Sequence, residues 1–166
     1  MARLDLPWAE AIAERVHPDL PEDPSVFAER LRLFPSGCLM LEHTERPVGY
    51  VIAHPWFLGR PPNLDTLVGQ LPGAADTFFI HDLALLPEAR GRGHAAEAVR
   101  LLVAQARVLA IATLSLVAVG ASPAFWRHLG FQPVNAAGNL ASYGAGACYM
   151  VGRTALLPGS LSDLPL

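Results

Sequence analysis

Pro87-Glu88-Ala89-Arg90-Gly91-Arg92-Gly93-His94-Ala95-Ala96 separates an apolar, strand-like run (residues 77–86) from a helix-like run (94–112). It sets two glycines and two arginines at the expected start of a helix. The first N–H groups of a helix have no partner within it and carry partial positive charge, so they can hold a phosphate. Glycines let a ligand approach the backbone, and arginines add fixed charge. The stretch reads as a pyrophosphate clamp.

Working outward, residues 113–119 form a continuous apolar strand, as expected in a sheet covered on both faces. Together with 77–86 and the helix between them they make a strand–helix–strand unit. Ser122-Pro123 reads as the start of a short helix, Ser as cap and Pro at its first position, closed by Gly130. Residues 131–134 and 147–156 are the last strands. On the other side, 6–16 and 25–34 read as helices, the first with Asp5 as cap. Residues 38–42 and 48–54 read as a hairpin joined at 43–47. Residues 57–76, which contain Pro61, Pro62, Gly69, Pro72 and Gly73, read as a mobile loop with one helical turn at 64–68. Only the centre can be parallel, so the fold class is α+β, a mixed and mostly antiparallel sheet flanked by helices. One domain over 1–157 and a frayed tail over 158–166 are expected.

Composition narrows the function. The 166 residues are 52% apolar and 16% charged, which excludes a disordered chain. The net charge of −3, with no basic block, argues against a nucleic-acid partner. No apolar run is long enough for a membrane span, and Asp5 and Glu10 interrupt any signal-peptide pattern, so a cytoplasmic protein with no membrane partner is expected. All 12 basic residues are arginine, which excludes a lysine nucleophile. Cys38 and Cys148 lack metal-ligand spacing, as do His17, His43 and His54, so no metal site is expected and these side chains read as packing or surface residues.

Arg90-Gly91-Arg92-Gly93-His94-Ala95 fits Q/R-x-x-G-x-G/A, the acyl-CoA pyrophosphate loop of the GNAT N-acetyltransferase superfamily. The same letters fit the dinucleotide pattern G-x-G-x-x-A. That pattern calls for the glycine turn at the strand end and an acidic residue about 20 positions on. Here residues 87–90 intervene, and no acidic residue follows Glu97 before Asp163. Two further stretches resemble the superfamily. Ile80-His81-Asp82-Leu83-Ala84-Leu85 resembles the strand before its loop. Ala124-Phe125-Trp126-Arg127-His128-Leu129-Gly130-Phe131 resembles its short C-terminal helix. The resemblance covers roughly 47–156, and the family's usual first strand is not evident before Leu6.

The resemblance implies a sheet splayed between 78–85 and 113–119, with acetyl-CoA as co-substrate in the wedge. Main-chain groups of the segment Leu83, Ala84 and Leu85 would hold the pantetheine arm. Arg90 and the N–H groups of Gly91, Arg92, Gly93, His94, Ala95 and Ala96 would hold the pyrophosphate. Phe125 and Trp126 would flank the arm. The reaction implied is acetyl transfer to a primary amine, small molecule or peptide, and a homodimer is the family expectation.

An alkylamine with a pKa of about 10 is neutral in about one molecule per thousand at pH 7, and only that form attacks a thioester. A base is therefore useful, directly or through water. His81 is the candidate, since an ordinary imidazole titrates near pH 6.5. Asp82 should face the opposite side of the strand unless a bulge intervenes, as a structural residue or helper. The family often has tyrosine, protonating the CoA thiolate, where this chain has Trp126; indole cannot serve. Tyr143, in the glycine-rich run Ser142-Tyr143-Gly144-Ala145-Gly146, is the candidate acid, with Tyr149 or water as substitutes. Trp8, Trp56, Phe57, Glu22 and Asp23 would give an aromatic, mildly acidic mouth suited to an amine. The rival from another class is a non-catalytic acyl-CoA-binding sensor or interaction module. A nucleotide-binding domain is the second rival.

Overall fold

A computed structural model describes residues 1–136 and 138–158. The tail expected from 158 onward lies outside the described residues apart from Pro158. The elements run α1 (Leu6–Val16), α2 (Pro24–Leu33), β1 (Cys38–His43), β2 (Arg46–Trp56), β3 (Thr77–Leu85), α3 (His94–Val108), β4 (Thr113–Ala118), α4 (Ser122–His128), β5 (Gln132–Pro133) and β6 (Cys148–Arg153). They form one six-stranded sheet in the order β1-β2-β3-β4-β6-β5. Only β3 and β4 are parallel, joined by α3; every other pair is antiparallel. The α+β class expected from the element pattern is the observed one.

The sheet has a core on each face. On one side α3 sets Ala95, Val99, Leu102, Val103 and Ala106 against Val51, Phe78, Ile80, Leu114 and Leu116. The i, i+4, i+7, i+8, i+11 spacing puts those five residues on one helix face. On the other side α1 and α2 pack Ala9, Ile12, Phe27 and Leu31 against Tyr50, Ile52 and Ala84. Each large apolar side chain buried in these layers contributes about 1.5–3 kcal/mol. The β1–β2 turn is tight because Thr44 and Glu45 both take left-handed φ values, 48° and 62°, the geometry of a two-residue hairpin loop.

Several local expectations are corrected. Asp5 does not cap α1; it has helical dihedrals and its Oδ2 accepts the Ala2 N–H (2.6 Å). Ser122 does not cap α4; its Oγ accepts the Val119 N–H (3.0 Å) and donates to the Val119 carbonyl (2.8 Å). Residues 64–68 form no helical turn. The 57–76 loop is instead strapped down. Glu29 Oε2 and Oε1 accept the N–H groups of Val68 (2.8 Å) and Gly69 (2.9 Å), and Arg30 Nη2 donates to the Thr66 carbonyl (2.8 Å). Glu29 and Arg30 also pair with each other at 2.5 Å, both buried. Among the described residues no helix is long and apolar enough to cross a membrane.

Candidate active site

The β3–β4 ladder has only three rungs, Phe78–Leu114, Phe79–Ser115 and Ile80–Leu116. β3 continues five residues further, to Leu85, without a β4 partner. A gap therefore opens in the sheet beyond Ile80. Its β3 edge carries unpaired main-chain groups. The Leu86 N–H donates to the Val48 carbonyl (2.9 Å), so alternation along the antiparallel ladder turns Ala84 to β2 and Leu83 and Leu85 to the gap. Ala84, expected with them in the arm contact, thus has its polar groups committed to β2. The Leu85 carbonyl accepts from Arg90 Nε at 3.0 Å, so the Arg90 side chain folds back onto the strand end.

The clamp follows. Gly91 and Gly93 have φ of 71° and 81°, and a Cβ on either would meet no atom within 4 Å. The left-handed backbone explains the glycines, and the space above them is open. The first helical bond of α3 runs from the Glu97 N–H to the Gly93 carbonyl (3.0 Å). Among the described residues no main-chain acceptor meets the N–H groups of 91–96. Arg92 and Gly93 are exposed and His94 half-buried, at the N-terminus of a 15-residue helix. These groups fit a pyrophosphate.

At the mouth of the gap a cavity of about 460 Å³ lies between β3, the end of β4, α1, and the α1–α2 connection. His81 and Asp82 line it together, with Val117 and Val119 from the β4 side. Strict alternation would put His81 and Asp82 on opposite faces. The β2–β3 register, however, passes from Ile52–Asp82 to Ala53–Ile80, leaving His81 as the extra residue of a β-bulge. The bulge brings both side chains to the face covered by α1 and α2.

Each is held by a partner distant in sequence. His81 Nε2 lies 3.0 Å from Glu22 Oε2, with both side chains buried. Glu22 Oε1 accepts the Asp65 N–H (3.0 Å), tying the 57–76 loop to the same carboxylate. Burial pushes the Glu22 carboxyl upward, but His81 and the Asp65 N–H together outweigh it and hold the group below its ordinary range. Asp82 Oδ1 lies 3.1 Å from His17 Nε2, and its Oδ2 accepts the Tyr50 hydroxyl. Burial again pushes this carboxyl up, and His17 and Tyr50 hold it down. In return Asp82 raises the His17 imidazole above its ordinary value, against burial. His17, read as a packing or surface residue, is thus part of the cavity wall. His54 is a packing residue as expected. It is buried, its ring centroid 6.3 Å from that of His81, and burial first, then the His81 charge, pushes its pKa down to about 3.

Tyr143 also lines the cavity, from a 3-10 turn over Ala141–Tyr143. Its hydroxyl donates to the Pro62 carbonyl (2.6 Å), and burial pushes its pKa up. Tyr149 is engaged elsewhere, its hydroxyl accepting the Gly59 N–H (2.9 Å). On α4, Trp126 is buried against Phe131 (centroids 5.3 Å), and Phe125 is 40% exposed beside it. The expected aromatic mouth is not formed by Trp8, Trp56 and Phe57, none of which lines the cavity; Asp23 caps α2 by accepting the Ser25 N–H (2.9 Å). Glu10 and Glu14, one turn apart on α1, face the cavity instead, and no arginine lines it. No group of three or more metal-ligating side chains occurs among the described residues.

Comparison with known proteins agrees with this architecture. The sequence model described as the Acetyltransferase (GNAT) family matches residues 4–131. No curated protein sequence matches the chain. Among solved structures, the GphF GNAT-like decarboxylase in complex with isobutyryl-CoA superposes with a TM-score of 0.77 at 17% identity, over 93% of this chain and 97% of that one. The ribosomal-protein-S18-alanine N-acetyltransferase from Escherichia coli gives 0.63 at 18% identity, over 100% and 96%. Arabidopsis thaliana Naa50 in complex with the bisubstrate analogue CoA-Ac-MVNAL gives 0.65 at 13%, over 91% and 93%.

Proposed function

Given that the chain belongs to the GNAT acetyltransferase family, whose membership supports acyl-CoA-dependent acyl transfer, we propose that it moves an acetyl group from acetyl-CoA to a primary amine by direct attack. The observation that carries this reading is the position of the His81 cavity. It lies where the β3–β4 ladder ends, lined by His81 and Asp82 of β3 and by Val117 and Val119 from the β4 side, and the free edge of β3 runs on from it through Leu83 to Leu85.

In this reading the thioester lies in the gap, its arm paired to the free edge of β3 at Leu83 and Leu85 and its pyrophosphate on residues 91–96. Phe125 borders the arm. The acceptor amine enters the cavity, His81 takes its proton directly or through water, and the nitrogen attacks the thioester carbon. A main-chain N–H near Leu83 stabilises the oxyanion. For the leaving thiolate we keep Tyr143 as acid, on condition that its proton exchanges Pro62 for the sulfur. The cavity's carboxylates, Glu10, Glu14, Glu22 and Asp82, favour a cationic acceptor and disfavour an acyl group with its own negative charge. A cytoplasmic setting is consistent with the two free cysteines.

The rival reading, acyl-CoA binding without turnover, is favoured by two observations. Trp126 stands buried at the usual tyrosine position, and the Tyr143 hydroxyl is engaged. Thermal melting with acetyl-CoA, CoA and NAD in parallel, followed by thiol release across monoamines, diamines, amino acids and free-N-terminus peptides, separates the readings. A ligand at about 100 times its dissociation constant adds about 2.7 kcal/mol, a shift of several degrees. Stabilisation by CoA species with amine-dependent thiol release is the expected result. Stabilisation without release on any amine selects the binding module, and stabilisation by NAD alone overturns the CoA reading.

A further inference from the structure

We propose that Glu22 is a positioning residue for His81. It fixes the ring in the Nε2–H tautomer, so that the lone pair that takes the acceptor's proton sits on Nδ1. This rests on the reading of His81 as base.

The Glu22 carboxyl, held below its ordinary range by His81 and the Asp65 N–H against burial, is ionised at neutral pH and can only accept hydrogen bonds. At 3.0 Å from its Oε2, His81 Nε2 must therefore be the donor. The other ring nitrogen, Nδ1, is buried and has no hydrogen-bond partner. With Nε2 donating to Glu22, Nδ1 is the basic atom of the ring, on a residue that lines the cavity. The neighbouring carboxylate does not compete, since Asp82 is taken by His17 and Tyr50. His54 and Tyr143 do not compete either. His54 Nδ1 faces the Pro55 carbonyl at 3.1 Å, and the Tyr143 hydroxyl faces Pro62.

Glu22 is itself held from both sides. Its Oε1 accepts the N–H of Asp65, a residue with φ of 53°, and Asp65 Oδ1 accepts the Asp23 N–H at 2.7 Å. The 57–76 loop therefore reaches the base through one carboxylate. In the reaction an alkylammonium gives one proton to His81 Nδ1, directly or through water, and the freed lone pair forms the C–N bond. The C–S electron pair departs on sulfur. Tyr143 protonates the thiolate and recovers the second nitrogen proton, and His81 returns its proton to solvent. Glu22 keeps its charge throughout and faces the imidazolium while it exists.

The test is the tautomer of His81 in the full-length, ¹⁵N-labelled protein, read from two-bond proton–nitrogen correlations and assigned by their loss in His81→Ala. The wild type should show the Nε2–H pattern, and Glu22→Gln, which can donate as well as accept, should lose that preference. A wild-type Nδ1–H pattern, or an unchanged pattern in a folded Glu22→Gln, overturns the proposal. The wild-type measurement stands even if the variant fails to fold, and it requires no acceptor. In turnover, Glu22→Gln should lower kcat by about tenfold or more with KM for acetyl-CoA unchanged, and should cost nothing further in a His81→Ala background. Additive losses mean a structural role and overturn the proposal. Full activity of His81→Ala overturns the base reading, whatever the tautomer.

Discussion

Ile80 of β3 and Leu116 of β4 form the last rung between the two strands, and His81, the next residue, is the extra residue of a β-bulge. The place where the sheet opens and the place where a strand turns an additional polar side chain into the cavity are thus adjacent in sequence. A regular β3 would carry either His81 or Asp82 to that face. The bulge carries both, with Glu22 and His17 as separate partners.

His81→Ala is expected to lower kcat about a hundredfold, the lower end of what a positioned base contributes. The melting shift given by acetyl-CoA should be unchanged, because His81 lines the cavity beneath α1 and none of residues 91–96 does. Parallel kinetics and melting check this. Equal turnover in both proteins removes His81 from the mechanism.

Gly93 separates backbone strain from ligand exclusion. Its φ is 81°, and a Cβ there meets no atom within 4 Å. Gly93→Ala should therefore cost only the left-handed backbone penalty, about 1–2 kcal/mol, read by chemical denaturation. Gly93→Glu adds bulk and negative charge to the space assigned to the pyrophosphate. It should abolish the CoA-induced melting shift while the apo protein melts close to Gly93→Ala. An intact shift would dismiss the clamp.

The fold class was legible from the order of its elements, and the left-handed glycine turn before α3 because its signal is local. A glycine pair between an apolar strand and an amphipathic helix depends on neighbours within ten residues. Glu22 and His81 are 59 positions apart, and His17 and Asp82 65, and such separations carry no pattern that sequence spacing can read. The sequence leaves a bulge open at Asp82 without placing it, since two adjacent polar residues in an apolar strand do not tell whether one of them is extra. The 57–76 loop looked mobile because its prolines and glycines exclude regular structure. It is held by Glu29 and Arg30 on α2, whose buried pairing resembles ordinary surface charge in the sequence. Trp126 was recognised by its position in a motif, but its burial against Phe131 depends on tertiary packing.

Tyr143→Phe tests the acid. The hydroxyl donates to Pro62 at 2.6 Å, so its removal leaves that carbonyl unpaired, at a cost of about 1 kcal/mol. If Tyr143 protonates the thiolate, kcat should fall by at least about tenfold with KM for acetyl-CoA unchanged. A stability loss with wild-type kcat assigns that proton to water and Tyr143 to the cavity wall.

His54 should make stability fall in mild acid. Its pKa is pushed from the ordinary 6.5 down to about 3 by burial, then by the His81 charge, so the unfolded chain binds a proton across a window in which the folded chain does not. Its contribution is full above pH 6.5 and is lost as pH falls toward 3, amounting to about 2 kcal/mol by pH 5. His17 acts with the opposite sign. Its raised pKa gives stability that is present below pH 6.5 and lost as pH rises through the folded value. Glu22 and Asp82, both lowered, lose theirs only as pH drops below the ordinary carboxylate range. Between pH 7 and 5 these carboxylates stay ionised, and His17 offsets part of the His54 loss. The wild-type slope alone therefore does not isolate His54, but its difference from a His54→Asn variant does. Asn keeps a donor for the Pro55 carbonyl and removes the titrating ring. Urea denaturation at pH 7 and pH 5 should show His54→Asn losing about 2 kcal/mol less than the wild type over that interval. Equal losses would mean that His54 titrates in the folded protein much as it does in the unfolded chain.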